Sequence, residues 1–280
     1  MKRFILVMCA LLCGVTSWAW SNTHRTIAYI AQDYLTPKTE EVLAEYLDSP
    51  ISEYALWADY YVKDQRYKRG EYAKNRVTHI FSVNDDWTVN TEPVYAGLWS
   101  KYSVNYEGMK TINDGLDILN NHKEHADSVV QFNLKVILHL IGEMHCPVHY
   151  VVPFVPGWTS KYRHSYFKIW FEGKKLGYHA AWDGFPGKIY KGLTLEDYKL
   201  LYDTWDEKQR KKCCKGEPMD WAEDMVPVAV SIYDRVEPGD HLDKEFFKKY
   251  EPVYGDLVRK AAYRMAHILN TAFDPEYRLK

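Results

Sequence analysis

Apolar positions recur at helical spacing along most of the chain. Ile27, Ala28, Ile30 and Ala31 form one stripe, and Asn22 or Thr23 ahead of it offers an N-cap side chain. Pro37 suits the first turn of a second helix, with Val42, Leu43, Tyr46 and Leu47 on one face. Ser52 is expected to open a third helix that runs through Trp57 and Asp59. The stripe Val130, Leu134, Ile137, Leu138, Ile141 predicts a long helix from Asp127 to Met144, which Pro147 terminates. Two more helices are expected from Pro218 to Tyr233 and from Pro252 to Phe273. One stretch has a different period. Ser165 to Trp170 alternates as a strand does, and Gly173-Lys174-Lys175 reads as a turn, giving a short hairpin that feeds the segment Tyr178–Asp183. With no internal repeat or long linker, the pattern implies a mainly α, single-domain fold with a short β-hairpin.

The first residues read differently. Lys2 and Arg3 precede an apolar run from Phe4 to Val15, then Ser17-Trp18-Ala19, the layout of a signal peptide with a small-x-small cleavage site. Spanning a bilayer takes about 20 apolar residues, so this run is too short. Cleavage after Ala19 divides the chain into a leader, 1–19, and a mature domain, 20–280, whose first residue is Trp20. Lipoprotein processing at Cys13 is the alternative, and Leu12 is a poor residue for it. A periplasmic or secreted protein of bacterial source is expected. Cys9 and Cys13 would leave with the leader; Cys146, Cys213 and Cys214 remain. An odd number argues against a disulfide scaffold, and neighbours such as Cys213 and Cys214 bridge only under strain. Cys146 could still pair with either.

The core must therefore carry the fold, and 46% hydrophobic and 15% aromatic residues supply it. The net charge of −2 argues against nucleic-acid binding through basic side chains alone. Any phosphate-binding site here needs another source of positive charge.

The 11 histidines suggest one. His139 and Glu143 are one helical turn apart and project from one face. His149 follows just past Pro147, and His179 and Asp183 repeat the i, i+4 step. His24 falls in the first predicted helix; Asp59 and His79 complete the set. Imidazole and carboxylate are the ligands of catalytic zinc. A single such pair is also an ordinary solvated contact on a helix surface. Leu138, Leu140 and Ile141, however, surround His139 and Glu143, and a carboxylate buried there costs several kcal/mol unless paired or metal-bound. A buried His–Glu hydrogen bond is the metal-free reading of the same pair.

The ordered set Trp20…His24, Trp57-Ala58-Asp59, His79, His139-Leu-Ile-Gly-Glu143-Met-x-x-Pro-Val-His149 and His179-x-x-Trp-Asp183 resembles the zinc-dependent single-strand nucleases of fungi and plants, the S1/P1 family, distantly related to bacterial zinc phospholipase C. It covers Trp20 to Asp183, with weaker continuation in Asp220–Asp224 and Arg264–Asn270. The resemblance implies a mostly helical phospholipase C/P1-nuclease-like fold and three Zn²⁺ ions. Asp59, His79, His139 and Glu143 would hold the first. Trp20, through its free α-amino group and carbonyl oxygen, would hold another with His24 and the shared Glu143. His149, His179 and Asp183 would hold the third. Asp59 and Glu143 are the expected catalytic carboxylates. The implied activity is hydrolysis of single-stranded DNA or RNA, or of 3′-nucleotides, to 5′-phosphate products by metal-activated water. The rivals are a zinc phospholipase C and a zinc-binding protein without turnover; a monomer is expected.

The chain departs from that family in places. Three residues separate Trp20 from His24 where the fungal enzymes have four, and Glu143 stands for an Asp. Val62 replaces an Arg, Ser82 an acidic residue and Ile80 a base-stacking aromatic, with Lys63 and Asp85 nearby as candidate substitutes. His145 could partner a ligand or face solvent. His164 reads as structural, and His122, His125, His241 and His267 as surface or core. Trp57, Trp158 and Trp182 are stacking candidates that could equally be core. Lys208–Lys215 reads as a solvated helix end.

Overall fold

The computed structural model describes residues 18–59, 81–92, 94–95, 104–105, 107–151, 167–185, 189–190 and 192–279. Its helices are α1 (Trp18–Gln32), α2 (Pro37–Tyr46), α3 (Ile51–Tyr54), α4 (Gly108–Asn120), α5 (Asp127–Met144), α6 (Tyr178–Asp183), α7 (Leu195–Tyr202), α8 (Glu207–Cys213), α9 (Pro218–Glu223), α10 (Met225–Tyr233), α11 (Lys244–Lys248) and α12 (Glu251–Phe273). The expected mainly α fold is what forms. The core is built on α5, which packs against α1, α3, α4 and α12. Leu134, Ile137, Leu138 and Ile141 are fully buried there. Burial of this kind contributes about 1.5–3 kcal/mol per large aliphatic side chain.

α2 starts at Pro37 behind a Thr36 side chain that accepts from the Thr39 N–H. α5 has the predicted bounds. Other boundaries differ. In the unprocessed chain α1 starts at Trp18, so neither Asn22 nor Thr23 caps it; the Thr23 hydroxyl instead meets the Tyr254 hydroxyl at 2.6 Å. α3 starts at Ile51 and stops at Tyr54, and the chain is helical again from residue 57. The Ala55 carbonyl in the break accepts a bond from His139, which draws it out of the helical ladder. The expected helix Pro218–Tyr233 is two, separated at Asp224. Pro227 is the reason: without an N–H, and with a ring that crowds the carbonyl four residues earlier, it belongs in a first turn.

Strands are short. β1 (Phe81–Ser82) pairs in parallel with β4 (Tyr150–Val151), and β2 (Val94–Tyr95) is antiparallel to β3 (Val104–Asn105). The expected hairpin is present but shifted: β5 (Lys168–Phe171) and β6 (Lys174–Gly177) pair Lys168 with Gly177 and Phe171 with Lys174. Its turn is Glu172-Gly173, both at positive φ (47° and 78°), the combination a two-residue type I′ turn demands. Lys174 and Lys175 thus belong to the strand. A third strand, β7 (His241–Leu242), joins β5 in parallel, with Trp170 and His241 rings stacked 5.6 Å apart. The hairpin delivers the chain into α6, which is anchored by the buried Tyr178 donating to the Ile232 carbonyl at 2.7 Å. Among the described residues, no helix is long and apolar enough to cross a membrane.

Candidate metal centre

α5 carries His139 and Glu143 one turn apart in the core, 0% and 1% exposed. α1 brings His24 against the same turn. Its ring stacks on that of His139 with centroids 4.4 Å apart, and its Nε2 lies 2.6 Å from Glu143 Oε1. The approach requires Gly142: a Cβ there would sit 2.4 Å from His24 Nδ1. His139 Nε2 lies 3.6 Å from the same carboxylate oxygen. The other ring nitrogen of His139 is 2.9 Å from the Ala55 carbonyl. A carbonyl only accepts, so Nδ1 carries the proton and Nε2 presents its lone pair toward Glu143. Metal-ligating histidines are oriented in this way.

Past α5, Pro147 ends the α-helix and Pro147–His149 forms a single 3₁₀ turn. That turn carries His149 back over the carboxylate, its Nδ1 2.5 Å from Glu143 Oε2. His149 Nε2 then points to α6, 2.7 Å from His179 Nε2 and 3.7 Å from Asp183 Oδ1. His179 Nε2 lies 2.9 Å from Asp183 Oδ2. Two imidazole nitrogens this close repel unless a proton or a cation lies between their lone pairs.

Charge follows the geometry. Burial opposes ionisation of both His149 and Asp183. It is outweighed at His149 by Cys146, Glu143 and Asp183, which raise its pKa well above the imidazole range, and at Asp183 by His179 and His149, which lower it to about 2. Burial pushes the Cys146 thiol up to about 11.

Two sets of donor atoms lie close enough to share an ion: His24, His139 and Glu143, and Cys146, His149 and Asp183, the atoms of each within 4.8 Å of one another. Nitrogen and oxygen donors in a buried, sterically shaped cradle fit zinc. His24, His139, Glu143, His149, His179 and Asp183 are thus brought together. Trp20 lies within α1, one turn before His24. Asp59 is half-buried and helical, the last described residue of a stretch that begins at residue 57. His79 lies outside the described residues, as do Val62, Lys63, Ile80, Trp158 and His164. β1 nevertheless starts two residues after His79 and pairs with the segment directly after His149.

Other residues resolve as follows. His145 does not face solvent: it is buried, with Nδ1 2.7 Å from the Ile141 carbonyl and Nε2 3.0 Å from Arg264 Nη1. Burial and the Arg264 charge keep its pKa well below normal. Arg264, itself buried, also donates to the Cys213 carbonyl at 2.9 Å. Cys146, Cys213 and Cys214 are all unpaired thiols. His122 belongs to the core, next to Phe273. Trp182 is core, stacked on Phe185, and Trp57 packs edge-on to Phe132. Lys208–Lys215 falls on α8 and its end, with Arg210, Lys211 and Lys212 in the last turn. Asp85 is exposed, whereas Ser82 is held by the buried Glu107 carboxylate, through its N–H and, at 3.1 Å, its hydroxyl. Spacing singles out neither Glu107 nor Cys146; the proximity of Cys146 to His149 was the available signal for the second.

The chain is 23% identical to Nuclease S1 of Aspergillus oryzae (strain ATCC 42149 / RIB 40) over 295 residues, covering 95% of this chain and 96% of that enzyme. It is 26% identical over 185 residues to Nuclease P1 of Penicillium citrinum, 62% of this chain and 60% of that enzyme, and equally to Nuclease PA3 of Penicillium sp. A family profile described as S1/P1 Nuclease matches residues 18–274, so the chain belongs to the S1/P1 nuclease family.

Proposed function

We propose that the processed chain, from Trp20 onward, is an exported zinc-dependent phosphodiesterase that cleaves single-stranded nucleic acid or 3′-nucleotides to 5′-phosphate products. The observation that carries this is the convergence of three imidazoles on the buried Glu143 carboxylate, continuous through His149 with His179 and Asp183. In this reading Asp59, His79, His139 and Glu143 hold one ion, Trp20, His24 and Glu143 a second, and His149, His179 and Asp183 a third. Bound zinc supplies activated water and polarisation of a phosphoryl oxygen.

The protein groups do the positioning. Glu143 would be shared by the first two sites, since His24 and His139 both face its Oε1, while Oε2 faces His149. The Ala55 carbonyl fixes the ring of His139, and Glu143 in turn accepts from His149 Nδ1, leaving Nε2 for the third site. His179 and Asp183, 24% and 26% exposed, form the open side where substrate arrives. Three ions against Asp59, Glu143 and Asp183 leave the site at about +3, which attracts phosphate although the chain is acidic. Loss of residues 1–19 converts the Trp20 amide nitrogen into an amine able to coordinate.

Assaying single-stranded DNA, RNA, 3′-AMP and phosphatidylcholine side by side tests the proposal. Nucleotide hydrolysis that a chelator abolishes and zinc restores is expected. Activity on phosphatidylcholine alone would assign the phospholipase C reading, to which Val62 and Ile80 point. Metal binding with no turnover on any of the four would leave a zinc-binding protein.

A further inference from the structure

Cys146 immediately precedes the 3₁₀ turn that carries His149. We infer that Cys146 is a fourth protein ligand of the third zinc, joining His149, His179 and Asp183 from the buried side and leaving the solvent-facing position to substrate. The inference rests on the trinuclear reading above.

The geometry supports it. Cys146 Sγ lies 4.0 Å from Asp183 Oδ1, His149 Nε2 lies 3.7 Å from that oxygen, and the two Nε2 atoms are 2.7 Å apart. With zinc–sulfur bonds near 2.3 Å and zinc–nitrogen or –oxygen bonds near 2.0–2.1 Å, tetrahedral ligands sit roughly 3.3 Å apart for N and O, and roughly 3.6 Å for sulfur with either. The two separations to Asp183 Oδ1 exceed those values by about 0.4 Å and the nitrogen pair falls short by about 0.6 Å; Cys146, His149 and Asp183 form one donor set, which His179 joins through His149 and Asp183. Position decides the rest. Cys146 and His149 approach from the buried side, 2% exposed each, while His179 and Asp183 border solvent. The sulfur therefore takes a place that substrate cannot reach. Nor is it committed elsewhere: it forms no disulfide, and Cys213 and Cys214 remain free thiols beside each other at the end of α8.

Two consequences follow. On binding, the Cys146 S–H bond is replaced by a sulfur–metal bond and its proton passes to solvent, so loading of this site releases one more proton than the histidines and carboxylate require. The thiolate also lowers the net charge of the centre by one, leaving a softer and more firmly held third ion.

The test uses protein stripped by chelator and reloaded with Co²⁺, which reports sulfur ligation through a thiolate-to-cobalt charge-transfer band in the near ultraviolet. The band is expected in the wild-type protein and in the Cys213→Ser, Cys214→Ser double variant. In Cys146→Ala it is expected to vanish, with the metal count falling by about one ion from about three. Three bound cobalt ions without the band, or a band that survives Cys146→Ala, would overturn the inference and leave the trinuclear reading standing. A wild-type count below two would instead remove the third site itself, and the inference with it. Should Cys146→Ala fail to fold, Cys146→Ser keeps the comparison, because a hydroxyl gives no such band.

Discussion

Gly142→Ala isolates the steric logic of the centre. The added methyl carbon would stand 2.4 Å from His24 Nδ1 and 2.6 Å from Cε1, where ordinary contact begins near 3.4 Å, so the ring must retreat by about 1 Å. Metal sites hold their ligands to within about 0.2 Å, and a misplacement of about 1 Å costs on the order of 100-fold in rate. Helix propensity acts in the other direction, since Ala in a helix interior is favoured over Gly by about 1 kcal/mol. The expected result is a variant that folds, has lost about one zinc by elemental analysis and has kcat/KM down roughly 100-fold. Gly115→Ala is the control. Its Cβ would meet Ile137 Cδ1 at 3.0 Å and Cγ1 at 3.1 Å and none of the site's side chains, so it tests the helix and its packing alone, and metal content and activity should be retained. Full metal content and unchanged kcat/KM in Gly142→Ala would refute the account of how His24 is placed.

Protein that keeps one extra residue before Trp20 should lose most activity and about one zinc; unchanged activity would eliminate the α-amino ligand. In metal-free protein, the lowered pKa of Asp183, about 2 against an ordinary 3.8, contributes stability that is present above about pH 4 and lost as pH falls through 2. Denaturant titrations should show on the order of 2 kcal/mol lost over that window, and Asp183→Asn should flatten it. Arg264→Leu should cost about 1–3 kcal/mol for each acceptor it strands, read by thermal unfolding, because His145 Nε2 and the Cys213 carbonyl lose a buried donor. Zinc content of the folded variant should be unchanged.

The helix that carries His139 and Glu143 was legible because its stripe is long and both ends carry signals, Asp127 at the start and Pro147 after the end. His139, Glu143, His179 and Asp183 could be found from i, i+4 spacing, and their convergence from the order of the motifs. β7 could not: two residues have no period, and its partner β5 lies some seventy positions earlier. The break at Asp224 was written in Pro227 but masked by apolar residues on both sides. The double use of His149, with Nδ1 on Glu143 and Nε2 toward His179, depends on the angle of one 3₁₀ turn, which no spacing rule encodes. Cys146 and Glu107 gain their significance from partners distant in the chain or across a turn.

The contact between His24 and Glu143 joins residues 119 positions apart. An ion held jointly by the two is a cross-link, and closing a loop of that size in the unfolded chain is worth about 5 kcal/mol by the loop-entropy relation used for disulfides. Net stabilities of domains run about 5–15 kcal/mol. In a chain whose described cysteines are all unpaired, the catalytic metals would thus also be its staples, and a chelator would remove activity and a large share of the fold's resistance to unfolding in one stroke.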